Sequence, residues 1–303
     1  MSSFLLLFFC LLIGLLLRRV PAFPASTPMA LNQFVIYISL PALALLYIPE
    51  IELSRALLLP VAAAWICFGV SALLFGSLGK VYGWSRKLTG CLILMSGLSN
   101  TSFVGFPIIE ALYGESGLKI AILVDQPGSF VALSTAGIAV AAAFSKGEAS
   151  ARTIFRKIAT FPPLLSFFVA LGMSLLGLHF PDELKDVFQR LGSTVTPLAV
   201  VSVGMQLRVE RQSKHWRFMF MGLAYQLLLA PALIFGLYAG VFGARGDILQ
   251  VSVMEMAMSP MIAPSIVAAT YGLKPRLANM MVGFGLPVSF ITLVFWYWVV
   301  SGF

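Results

Sequence analysis

Ten apolar runs, most of them near bilayer length, constrain this chain more than any other feature. They fall at 4–17, 31–48, 56–78, 88–112, 120–144, 161–178, 187–207, 218–242, 249–271 and 277–300 of 303 residues. About 20 apolar residues let a helix span the hydrocarbon core. Lipid offers backbone amides no partner, so such runs predict helices that satisfy their own hydrogen bonds. The expectation is an all-α polytopic membrane protein with ten transmembrane helices. The seventh run is the most polar, because Gln189, Arg190, Ser193, Thr194 and Thr196 occupy its first half.

Charge placement adds orientation. The net charge is +8, a balance that can suit nucleic acid, but the 20 Lys and Arg residues sit in short segments between apolar runs. No basic stripe interleaved with aromatics exists, so the lipid bilayer is the expected partner and nucleic acid is not. Arg18 and Arg19 follow the first apolar run rather than preceding it, the reverse of a cleavable signal peptide. That run is therefore expected to stay as helix one. With its amino end outside, inner loops hold fifteen Lys and Arg and outer loops five: Arg55, Lys119, Lys185, Arg190 and Arg245. Positive charge collects on the cytoplasmic side, which places both termini on the outer side of the plasma membrane.

An internal repeat emerges from proline and glycine markers. Pro41 matches Pro197, Tyr113-Gly114 matches Tyr271-Gly272, and Pro127-x-Ser129-Phe130 matches Pro287-x-Ser289-Phe290, at offsets of 156, 158 and 160 residues. A unit of five helices must enter the membrane from the opposite side on its second pass, which is the inverted-repeat plan of many secondary transporters. The expected domains are 1–144, a cytoplasmic connector at 145–160, and 161–303.

Helices four and nine are both interrupted, by the stretch from Ser96 to Pro107 and by that from Met258 to Pro264. Proline removes a backbone donor and clashes one turn back, and paired interruptions at matching positions point to a carrier's binding site. Pro107 and Pro264 are expected at the first position of new half-helices, whose free N–H groups and dipoles would favour an anion. Asn100 and Thr101 add polar groups inside the first break, Ser259 in the second.

Three acids lie within apolar runs: Glu110, Asp125 and Glu255. Such groups are costly in lipid and face a cavity or a partner. Glu255 is the leading candidate for coupling to H⁺ or Na⁺, with Asp125 and Glu110 behind it. Cys10, Cys67 and Cys91 lie in apolar runs without metal-ligand spacing and read as packing residues. His179 and His215 sit in loops beside charges. No phosphate loop, HExxH or catalytic triad is present, so no enzyme, metal site or resident cofactor is expected.

The run Asn100-Thr-Ser-Phe-Val-Gly105-Phe-Pro107-Ile-Ile-Glu-Ala-Leu-Tyr113-Gly114 resembles the fourth-helix signature of the auxin efflux carrier family, which includes plant carriers and bacterial permeases. Ala257-Met-Ser-Pro-Met-Ile-Ala-Pro264, Tyr271-Gly272 and Gly283-Phe-Gly-Leu-Pro287 are similar to its carboxyl-terminal half. The resemblance implies a scaffold and a transport domain, with the two broken helices crossing at the substrate site. By motif match Asn100, Pro107 and Pro264 inherit that crossing, and the other expected substrate contacts are Thr101, Gly105, Ser259 and Pro260. The related fold of bile acid sodium symporters implies elevator-like motion. Three departures stand out. Proline is displaced by one in Met258-Ser259-Pro260, Glu110 replaces the lysine of plant members, and the loop from Ser145 to Thr160 is short, as in a bacterial inner-membrane permease. The expected function is secondary transport of a small organic anion, either a dicarboxylate such as malonate or malate or an auxin-like carboxylate. A sensor on a carrier fold is the alternative, and a second copy of the chain is a candidate partner.

Overall fold

The computed structural model describes residues 2–24, 26–51, 54–145, 160–206 and 215–303. Most of the expected connector and seven of the cations expected on inner loops (Lys146, Arg152, Arg156, Lys157, Arg208, Arg211 and Lys214) lie outside the described residues.

Among the described residues the apolar runs are mainly helical. In chain order the elements are α1 (Ser2–Leu17), α2 (Thr27–Glu50), α3 (Arg55–Val81), α4 (Arg86–Gly97), α5 (Thr101–Phe144), α6 (Pro162–Leu175), α7 (Asp182–Gly192), α8 (Val195–Gln206), α9 (Trp216–Val241), α10 (Gly246–Met256), α11 (Ile262–Thr270) and α12 (Pro275–Val300). Five of them, α2, α3, α5, α9 and α12, are each long and apolar enough to cross a membrane, while α1 and α6 are shorter apolar helices. Proline opens α6 and α12, where the missing N–H costs nothing. Ser85 caps α4 by accepting from the Leu88 N–H at 3.3 Å.

The seventh run differs from its expected form. It divides at Ser193-Thr194 into α7 and α8. The polar residues that weaken its first half make α7 an amphipathic helix, with Asp182 and Glu183 in its first turn and Arg190 in its last, each favourable to the helix dipole. A second difference is that α5 runs through what the sequence separates as the end of helix four and all of helix five. Gly114 takes φ 62° and ψ −151° inside it, a conformation that residues with a Cβ avoid, so the chain turns there without losing helix on either side. Gly272 of the matching Tyr-Gly pair has φ 61° and ends the α11 segment.

The helices sort into two groups. In the first, α1 lies along α8, and α2 packs on α6, α7 and α8. In the second, α3 packs on α4 and on residues Val124–Phe130 of α5, α10 packs on α3, α5, α9 and α12, and α12 also covers α4 and α11. The first group touches the second chiefly along α5. There α1 and α8 meet its early turns, and Phe161, just before α6, stacks on Phe130. Glu50 at the end of α2 pairs with Lys185 of α7 at 2.9 Å and with Lys119 of α5 at 3.6 Å.

Candidate functional site

The two breaks meet. Residues 98–100 separate α4 from α5, residues 257–261 separate α10 from α11, and Ser99 and Pro260 form an isolated antiparallel bridge. The Asn100 N–H donates to the Ser259 carbonyl at 2.8 Å, and the Met261 N–H donates to the Leu98 carbonyl at 3.0 Å. The Ser99 hydroxyl reaches the Met256 carbonyl at 3.1 Å. From α9, Gln226 Nε2 donates to the carbonyls of Leu98 at 3.2 Å and Met258 at 3.4 Å, one on each break. An unmade amide hydrogen bond in an apolar interior costs several kcal/mol, so each break supplies what the other lacks.

Pro107 and Pro264 do not start the half-helices. Helix resumes at Thr101, with Asn100 as its cap accepting from the Phe103 N–H at 3.3 Å, and Pro107 comes more than a turn later. The Gly105 N–H reaches back to the Asn100 carbonyl at 3.0 Å. That wide turn accommodates a proline two residues on, because the ladder is already displaced. In α11 the first helical residue is Ile262 and Pro264 is the third, still within the turn whose N–H groups need no helical partner.

The amino end of α5 already has an anionic guest. Asp125, on the later part of α5, accepts from the Thr101 hydroxyl at 2.5 Å and from the Ser102 hydroxyl. Glu255, in the last turn of α10, is fully buried and, among the described residues, neither of its carboxyl oxygens has a hydrogen-bond partner. It lies against Gly105, where an added Cβ would collide with its carboxyl group. Thus the structure brings Asn100, Ser259 and Pro260 together, ties Thr101 to Asp125, and sets Gly105 against Glu255. Glu110 is apart from these, exposed, and accepts from the Thr196 hydroxyl of α8 at 2.8 Å.

Beside the crossing are two spaces with wall residues in common. A narrow cavity of ≈ 20 Å³ has Asn100, Ser259 and Gln206 as its polar lining. It shares Val203 and Leu286 with a chamber of ≈ 580 Å³ whose wall is almost wholly apolar, including Phe103, Pro107, Met254 and Phe290. Leu7, Phe8 and Leu11 of α1 close one side, and Tyr297 of α12 borders another. Gln206 is not among the residues the sequence singles out. Its one visible signal is a polar end on an apolar helix. Outside the spans, His215 precedes α9, and partial burial together with the charges of Lys274 and Arg276 lowers its pKa below the ordinary 6.5.

An all-helical apolar body with a buried crossing of two interrupted helices defines an integral membrane protein of the solute-carrier type. Residues 1–297 match the membrane transport protein family, and the chain belongs to that family. It is 28% identical to an uncharacterized transporter of Methanocaldococcus jannaschii over 89% of this chain and 88% of that protein. A second uncharacterized transporter, from Methanothermobacter thermautotrophicus, is 26% identical over 94% of this chain and 93% of its own length. A probable auxin efflux carrier component 5a of Oryza sativa subsp. japonica is 23% identical over 81% of this chain and 77% of the plant protein. The family resemblance carried by the Asn100 to Gly114 motif is thereby borne out.

Proposed function

We propose that this protein is a secondary transporter of an organic monocarboxylate with an apolar body, working by alternating access at the crossing of the two breaks. The observation that carries this reading is an apolar chamber that shares two wall residues, Val203 and Leu286, with a polar notch. A carboxylate finds hydrogen-bonding groups at Asn100, Gln206 and Ser259, and an aromatic or branched body finds the ≈ 580 Å³ chamber. A short dicarboxylate such as malonate would leave its second charge against an apolar wall, at a desolvation cost that disfavours it. The likeness to a plant protein named for auxin efflux supports the same choice between the two anion classes.

In this reading α1, α2, α6, α7 and α8 form the scaffold, and the remaining helices carry the site past it as an elevator. The marker pairs support two inverted five-helix repeats, and the Lys and Arg asymmetry supports a bacterial inner-membrane protein with both termini outside.

The test is counterflow in proteoliposomes. Purified protein loaded with unlabelled indole-3-acetate should accumulate labelled indole-3-acetate above protein-free vesicles, and malonate should not compete. Exchange of malonate alone would replace the substrate class. Saturable binding of indole-3-acetate without any counterflow would make the protein a sensor.

A further inference from the structure

We propose that Glu255 is the proton-binding group of this carrier, taking up and giving up one proton per cycle, while Asp125 is held by two hydroxyls as the anchor of the first broken helix. The inference rests on the carrier reading above and deepens it.

The two acids flank one crossing and are treated oppositely. Asp125 has two hydroxyl donors, from Thr101 and Ser102, on the residues that immediately follow the first break. Hydrogen bonds to a charged acceptor are the strong ones and favour the ionised form. Glu255 has none: both its oxygens are buried and unpartnered. An isolated carboxylate in an apolar interior is costly enough that the group neutralises instead.

Neutralisation could come from a proton or from a metal cation, and the surroundings favour the proton. The carbon and both oxygens of the Glu255 carboxyl fill the space beside Gly105 that a Cβ there would occupy. A proton adds no volume there, whereas a cation brings a coordination shell.

Charged and titratable groups on the elements around α10 leave Asp125 as the acid coupled to Glu255. On α5, Lys119 pairs with Glu50 and Glu110 accepts from Thr196. Glu115 lines a small cavity with Glu110, and Tyr113 packs edge-on against Tyr297 of α12. On α9, Tyr225 donates to the Cys67 carbonyl and Tyr238 to that of Leu59, both on α3. Asp247, at the start of α10 itself, accepts from Ser116. Transfer is simple in balance: an O–H bond forms on a Glu255 oxygen with a proton from water on one side of the membrane, and the same bond breaks to water on the other.

Dicyclohexylcarbodiimide, which reacts with carboxylic acids in apolar surroundings, tests this on the wild-type protein and without a substrate. Mass spectrometry of proteoliposomes treated at pH 6 to 9 should find the adduct on Glu255, at least fivefold less at pH 9 than at pH 6, none on Asp125, and no change when Na⁺ replaces K⁺. No adduct on Glu255 at any pH, or protection by Na⁺ and not K⁺, overturns the proposal. Where counterflow is measurable, its rate should depend on pH in the wild type and be flat in Glu255→Gln. A variant that keeps the wild-type profile also overturns it. Failure of counterflow with intact labelling would instead remove the carrier reading alone.

Discussion

The two breaks share a shape and differ in what holds them. The first is built from side chains: Asn100 caps α5, and the hydroxyls of Thr101 and Ser102 tie its opening turn to Asp125. The second has no such chemistry. Met261 stands at the cap position of α11 without a side-chain hydrogen bond, and methionines flank Ser259-Pro260. Its geometry comes from the first break's backbone, from Gln226, and from α12, where Gly285 lets Pro260 approach closely. One break is fixed in itself and the other is fixed by reference to it. The unpartnered acid lies on the side of the second, where fewer bonds oppose a rearrangement.

The largest test of that contrast is Asp125→Ala. Two buried hydroxyls lose a charged acceptor, and the stability measured by unfolding in detergent should fall by about 2–4 kcal/mol. A loss as small as a surface substitution's would mean the first break is not anchored as described. Gln226→Leu comes next, because one amide serves both breaks. Removing it takes one donor from each of two carbonyls, of which Leu98 keeps the Met261 N–H, at about 1–3 kcal/mol in all, and amide exchange should rise at Asn100 and Met261 together. Asn100→Ala removes only the cap and should cost about 1 kcal/mol, with exchange increasing at Phe103 and not in α11. Smallest is a pH effect at His215, just before α9. With its pKa below 6.5, His215 binds protons less readily folded than unfolded. Stability should therefore fall as pH drops through 6.5 towards the folded value. A thermal melt of His215→Gln should lose that acid-side decline.

Much of this was legible in the chain. Apolar length reports directly on helices in lipid, and proline reports on broken ladders, so the runs and both breaks could be located from residue type alone. What could not be read depends on main-chain groups, which every residue carries alike. The pairing of Asn100 with Ser259 and of Met261 with Leu98 leaves no mark in composition. For the same reason the start of α5 was expected at Pro107 but falls at Thr101, since the Gly105 amide finds a carbonyl that only the folded turn presents. The seventh run was flagged by its polarity, yet its division into α7 and α8 required seeing which side of it is covered. Glu255 was singled out as a costly acid. Its contrast with Asp125 is a matter of neighbours, not of identity.

The chamber's width is set at a distance from its walls. Gly14 of α1 and Gly204 of α8 let the two backbones touch, so that an added Cβ at either would strike main-chain atoms of the other helix. The same α1 presents Leu7, Phe8 and Leu11 to the chamber. Any side chain at the glycine pair must prise α1 outward, and the wall moves with it. Two residues that never meet the solute thus act as a calibre for it, and a homologue with alanine or serine at either place should admit a bulkier acid without a change in any residue lining the chamber.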